Sequence, residues 1–186
     1  MTLPERLRTH ARASGRELPE HLERQLTMLT QVTEQVQAAN KQARRLATEH
    51  PVCRRLMAVP GVGPLTSLRF VAAIDDPSRF PTAHRVQSYV GLTPGEHSSS
   101  RRERKTGITK AGPSELRRCL VQAAWSVMLA RRSHPMLEWV RQIAQRRNRP
   151  VAVIALARKL AGILFAIWRD GTTYAPKHMT QRSAPT

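Results

Sequence analysis

Gly91-Leu-Thr-Pro-Gly-Glu-His-Ser-Ser-Ser-Arg-Arg-Glu-Arg-Lys-Thr-Gly-Ile-Thr-Lys-Ala-Gly112 is the stretch on which the reading of this chain turns. Three adjacent serines, Ser98, Ser99 and Ser100, lie beside a basic cluster of Arg101, Arg102, Arg104, Lys105 and Lys110. Pro94, Gly95, Gly107, Gly112 and Pro113 interrupt it too often for one long helix. It reads as a mobile basic loop that carries hydroxyls, a natural place to hold a phosphate. Apolar patterns of helical period flank it on both sides, and no strand alternation of useful length appears anywhere. The fold class predicted is therefore all-α, a compact helical domain framing one loop.

Downstream of the loop, Ser114 is the predicted N-cap of a strong helix, with Glu115 in its first turn. Leu116, Leu120, Ala123, Ala124, Val127 and Met128 make one apolar face. Arg117, Arg118, Arg131 and Arg132 fall on the outer side, toward solvent or DNA. A second helix is predicted from Pro135 to Arg146, with Leu137, Trp139, Val140 and Ile143. The last helix, Val151 to Trp168, is apolar nearly all round apart from Arg158 and Lys159, and is predicted to be the most buried. Gly171 stops it, and 175–186 read as a disordered tail.

Upstream, a helix around Ala83–Val90 follows a turn, with Thr82 or Ser78 as its cap. The turn holds Asp75 and Asp76. Two adjacent carboxylates with few acids nearby suit a turn or a cap better than a metal site. Residues 53–74 read as a short helix, a Pro60-Gly61-Val62-Gly63 turn, and a second helix from Pro64. This resembles the helix-hairpin-helix module. There, Gly61, Val62 and Gly63 would bring backbone N–H groups against a phosphate beside a helix N-terminus. A plain tight turn between core helices is the competing reading. From Glu20 to Glu49 no Pro or Gly interrupts. Leu22, Leu26, Leu29, Thr33, Val36, Asn40 and Ala43 recur at heptad-like steps, suggesting a coiled-coil or helix-hairpin arm for dimerisation. Pro51 ends it. The organisation expected is a flexible lead or short helix over 1–19, the arm over 20–50, the helical domain over 51–174, and the tail.

Composition narrows the partner. The chain has 186 residues with 31 Lys and Arg against 13 Asp and Glu, a net charge of +18. An excess of that size over a folded domain calls for a polyanion, nucleic acid ahead of a membrane surface or a ribosome-like assembly. Apolar residues make up 40% and aromatics only 4%, so a core must be built from aliphatic side chains. No run of about 18 apolar residues suggests a membrane span, and Met1-Thr-Leu-Pro-Glu-Arg does not read as a signal segment. Cys53 and Cys119 stand far apart without metal-type spacing. They read as buried free thiols in the cytoplasm.

Several runs occur in an order that resembles one family. They are Val59-Pro-Gly-Val-Gly-Pro, Asp76-Pro-Ser-Arg-Phe and Tyr89-Val-Gly-Leu-Thr-Pro, then the serine cluster and Gly107-Ile-Thr-Lys-Ala-Gly with Leu116-Arg. Ala155-Leu-Ala-Arg-Lys-Leu and Trp168-Arg-Asp-Gly complete the series. From Leu56 to Pro176 the chain resembles the C-terminal domain of insertion-sequence transposases of the IS-one-ten, IS-one-sixteen and IS-nine-oh-two type. The resemblance implies a serine that joins covalently to DNA, a structured guide RNA, and a coiled coil leading to a RuvC-like acidic domain that holds Mg2+. It implies no cofactor within this chain. Family sequences place the serine nine residues before the Ile of the Ile-Thr-Lys run and just ahead of a glycine. Counting back from Ile108 gives Ser99, with Ser98 and Ser100 as alternates, and Ser100 stands where the glycine would be. Arg101, Arg102 and Lys110 would neutralise the phosphate. His97 reads as a surface histidine rather than the base. No RuvC-like set of spaced acids is present. The expectation is the C-terminal half of a truncated or split transposase, inactive alone.

Three function classes follow, each with its own signature. A DNA recombinase half depends on Ser99. A non-enzymatic DNA-binding module depends on the Gly61–Gly63 turn and the basic helices. A dimerising interaction protein depends on residues 20–49.

Overall fold

The computed structural model describes residues 2–15, 17–99 and 102–176, with 96–99 and 102–106 described by their backbone. The predicted tail therefore lies outside the described residues beyond Pro176. The chain separates into two units, Met1–Arg45 and Leu46–Thr186.

The first unit holds α1 (Leu3–Ala13) and most of α2 (Glu20–Glu49). Residues 1–19 thus contain a regular helix. Thr2 and Glu5 open it with a capping box, and the Thr2 amide donates to Glu5 Oε2 at 2.6 Å. Arg8 then ties α1 to α2, pairing with Glu23 at 3.0 Å and donating to Thr27 Oγ1 at 3.3 Å. The heptad-like row on α2 does not share one environment. Leu26 is buried, whereas Leu22, Leu29 and Val36 remain exposed, Val36 by 52%. A seven-residue repeat drifts around a straight α-helix by about 20° per heptad, so the row does not stay on one face.

The second unit is built around α8 (Arg149–Arg169). Ala152, Val153, Leu156, Ala157, Leu160, Ala161, Leu164, Phe165 and Ile167 of this helix are buried. Helices α3 (Pro51–Leu56), α5 (Ala83–Tyr89), α6 (Ser114–Met128) and α7 (Pro135–Arg146) pack on it, while α4 (Pro64–Ile74) packs on α6. By length and composition α8 is the one helix among the described residues able to cross a membrane, yet in this fold it is the central core helix. Midway along it Lys159 places Nζ 4.2 Å over the Trp139 ring, and burial pushes its ammonium below the usual range. Phe70 meets Trp168 at 6.4 Å between centroids, joining α4 to the end of α8.

Local chemistry sets the helix ends. His50, Thr82, His134 and Asn148 each accept a backbone N–H from the first turn of the following helix. Asp76 does the same for the 3-10 turn Pro77–Arg79, taking the Ser78 amide at 2.8 Å and its hydroxyl at 2.6 Å. Asp75 closes α4 at φ 63°. Three boundaries differ from expectation. Ser114 is the first residue of α6, and Pro113 occupies the cap position without a side-chain bond; Pro113 O accepts the first helical amide, from Arg117, at 3.1 Å. Pro51 opens α3 as well as following α2, because the first helical position needs no N–H. For the same reason α8 starts two residues ahead of Val151, Pro150 sitting in its first turn.

The serine stretch is more regular than a loop. It forms an antiparallel ribbon of β1 (Pro94–Ser99) and β2 (Arg102–Ile108), with an irregularity between Pro94 and Glu96. Its sequence is polar at nearly every position, so it lacks the alternation that marks a half-buried strand. The helices still dominate the fold, and the class is all-α with this one small ribbon.

Candidate nucleic-acid interface

The ribbon is rooted in the core. Val90, Leu92 and Thr93, just ahead of β1, are buried. Thr109 N donates to Thr93 O at 3.0 Å and Lys110 N to Gly91 O at 3.2 Å. Gly112 has φ +69°, and a Cβ there would collide with the Tyr89 carbonyl. Lys110 is exposed and also adopts a positive φ, 56°. From this base the strands run outward in register. Glu96 pairs with Lys105, His97 with Arg104, Ser98 with Glu103, and Ser99 with Arg102. Ser99 and Arg102 thus form the last pair before the tip. Ser100 and Arg101 lie outside the described residues.

Of the four arginines expected on the outer face of α6, Arg131 and Arg132 lie beyond its end at Met128, and Arg117 and Arg118 are both engaged. Arg117 turns back to the ribbon root, where Nη1 donates to Val90 O at 3.0 Å and to Ala111 O at 2.7 Å. Arg118 is exposed and pairs with Glu115, which also accepts from Arg69 of α4. The Arg69 hydrogen bond, with Arg118 nearby, holds the Glu115 carboxyl below the usual carboxylate range. Arg69 was not singled out from the sequence. Its partner lies 46 positions away, and no local pattern announces such a pairing.

The turn between α3 and α4 divides its two glycines between two roles. Gly61 has φ +81°, and a Cβ there would stand 2.5 Å from Ala123 O and 2.7 Å from Val127 Cγ2 of α6. Val62 is buried, and its N–H is taken by Val59 O at 3.0 Å. These two positions serve helix packing. Gly63 differs: it is the cap residue of α4, it has no side-chain cap bond, and nothing lies within 4 Å of a Cβ built on it. The next N–H groups, on Leu65 and Thr66, sit in the first helical turn, where no intrahelical carbonyl is in reach. The open part of this turn is therefore the α4 entrance.

Cys53 and Cys119 are both buried and unpaired, and burial pushes both thiols above their ordinary value. Among the described residues no group of three or more His, Cys, Asp or Glu could hold a metal ion.

A helical body with a basic serine ribbon rooted in it defines the class. Residues 53–138 match the model of the Transposase IS116/IS110/IS902 family, and the chain belongs to that family. It is similar to a probable family 20 transposase of Pseudomonas aeruginosa, 31% identical over 163 residues that cover 87% of this chain and 46% of that protein. It is 34% identical over 146 residues to the insertion element IS110 uncharacterized 43.6 kDa protein of Streptomyces coelicolor, covering 78% of this chain and 36% of the other. A pilin gene-inverting protein of Moraxella bovis is 31% identical over 122 residues, 64% of this chain and 37% of that one. The chain spans less than half the length of each of these relatives.

Proposed function

We propose that this chain is the DNA-joining half of an insertion-sequence transposase, acting in DNA transposition and recombination. Ser99 is the nucleophile in this reading, with Ser98 and Ser100 as alternates. Its Oγ attacks the phosphorus of a DNA phosphodiester and gives up its proton to a base. A new Oγ–P bond forms as the P–O bond to the sugar breaks, and the departing sugar oxygen takes a proton. Arg102, opposite Ser99, and Arg101, next to it in sequence, offset the charge that builds on the non-bridging oxygens, whereas Lys110 stands at the ribbon root, too far from Ser99 to share that phosphate. The observation that carries the reading is the backbone register of the ribbon. The family's serine position falls beside its tip, opposite Arg102, on a base fixed to the helical core.

DNA is held in this reading by the net charge of +18 and by the open entrance of α4, where Gly63 and the first-turn amides of a helix-hairpin-helix-like element meet a phosphate. Arg104 and Lys105 on β2 add to the contact. A guide RNA directs the reaction in the cytoplasm. Mg2+ would be held by a RuvC-like acidic domain, and no step in this chain passes through it. The exposed Leu22, Leu29 and Val36 of α2 support a coiled-coil contact with a second copy.

A non-enzymatic binding module is the second reading, favoured by the open α4 entrance. Covalent trapping separates the two. Labelled donor DNA is incubated with this chain or its Ser99→Ala variant, together with a full-length relative and guide RNA supplying the acidic domain in trans. A Ser99-dependent protein–DNA adduct on a denaturing gel is expected. No adduct, beside a working full-length control, would overturn the nucleophile and leave the binding module.

A further inference from the structure

We propose that Arg117 is a positioning residue, a latch that sets the direction of the serine ribbon relative to the helical body. Its functional half rests on the reading of Ser99 as nucleophile; its structural half stands on geometry alone. One guanidinium nitrogen, Nη1, donates to Val90 O at 3.0 Å and Ala111 O at 2.7 Å. Val90 is the cap residue at the end of α5, shortly before β1, and Ala111 follows shortly after β2. A single cation therefore holds both legs of the ribbon at the level where they leave the core.

The placement is chemically unusual. Arg117 lies in the first turn of α6, where the helix dipole disfavours a cation. The two carbonyls supply the negative ends that make it tolerable, through hydrogen bonds strengthened by the charge. The arginine is half-buried, consistent with an internal role. Among the described residues, the two strands make their main contact with each other. From Thr93 to Ser99 the ribbon spans about 20 Å at roughly 3.3 Å per residue. A tilt of about 5° at the root then moves the tip by about 1.7 Å, and a misplacement of about 1 Å can cost about a hundredfold in rate. A small change at the latch is thus amplified at the serine.

The test uses the full chain with Arg117→Ala and the conservative Arg117→Lys, and two readouts. Amide hydrogen exchange is followed at Thr109 and Lys110, whose N–H groups close the root, with amides of Leu156 to Leu164 as the core reference. Adduct formation is followed in the trapping assay above, alongside DNA affinity. In Arg117→Ala, root exchange should rise at least about tenfold with core exchange unchanged. The adduct rate should fall by about a hundredfold while affinity changes less than about twofold, and Arg117→Lys should recover part of both losses. Unchanged root exchange overturns the latch. Faster root exchange with an undiminished adduct rate overturns the positioning role. Should Arg117→Ala fail to fold, Arg117→Met decides by the same readouts, since it keeps the aliphatic stem and lacks the donors. If wild type gives no Ser99-dependent adduct, the proposed chemistry fails, and root exchange still judges the latch separately.

Discussion

Replacing Gly61 and Gly63 separately by alanine tests how the α3–α4 turn is used. Gly61 has φ +81°, and its Cβ would meet Ala123 O at 2.5 Å and Val127 Cγ2 at 2.7 Å. The left-handed backbone alone costs an alanine about 1–2 kcal/mol. Forcing a methyl into a packed helix contact adds about 1–3 kcal/mol. The sum, about 2–5 kcal/mol, is a large part of the roughly 5–15 kcal/mol that holds a domain folded. At roughly 2–4 °C per kcal/mol for a protein of this size, Gly61→Ala should lower the Tm by about 4–20 °C. Gly63 has φ −100° with open space around it. Gly63→Ala gains a little from a stiffer unfolded chain and loses a little as a cap, so its Tm should stay within about 3 °C. If a phosphate approaches that open face, the added methyl weakens DNA binding without destabilising the fold. Thermal unfolding followed by circular dichroism, with DNA affinity at fixed salt, reads both effects. Equal melting temperatures for wild type and Gly61→Ala would refute the packing argument. A Gly63→Ala protein as unstable as Gly61→Ala would refute the division of labour.

DNA binding should weaken steeply with salt, each neutralised phosphate adding about 0.9 to the log–log slope; a flat titration of this +18 chain would sink the nucleic-acid reading. Cys53 and Cys119, buried and with thiols raised by burial, should react with a disulfide reagent only slowly until denaturant is added, and rapid labelling of the native protein would contradict the packing. Glu115 has a lowered folded-state pKa, chiefly from its hydrogen bond with Arg69. Its contribution to stability is present above the ordinary carboxylate range and is lost as pH falls through the lowered value. Glu115→Gln should therefore flatten the acid limb of a Tm-against-pH curve, and an unchanged limb would show that the pair contributes nothing. Leu160→Ala, at a fully buried position on α8, should cost about 2–5 kcal/mol in a denaturant titration.

Much of the helical frame was legible because period and punctuation agree. Pro135 to Arg146 appears with its expected bounds, and α6 and α8 differ from theirs by a residue or two. The ribbon was not legible. A polar strand on a polar partner has no buried face, so nothing in its sequence alternates. The fates of Arg117 and Arg118 were equally hidden, since both carry the same charge on adjacent positions. Only the path of the chain around Val90 and Ala111 brings two carbonyls to one of them.

The sequence by itself determined most of the helices, Thr82 as one of two candidate caps of α5, the apolar identity of α8 and the order of motifs that marks the family. Those follow from local spacing and from side-chain chemistry within a few residues. Tertiary structure alone decided that Gly61 serves packing while Gly63 stays open, that Arg69 meets Glu115, and that Arg117 holds the ribbon root. Each of these depends on atoms distant in sequence, such as Ala123 beside Gly61 and Glu115 beside Arg69. No local pattern encodes a contact whose two halves are brought together only when the helices pack.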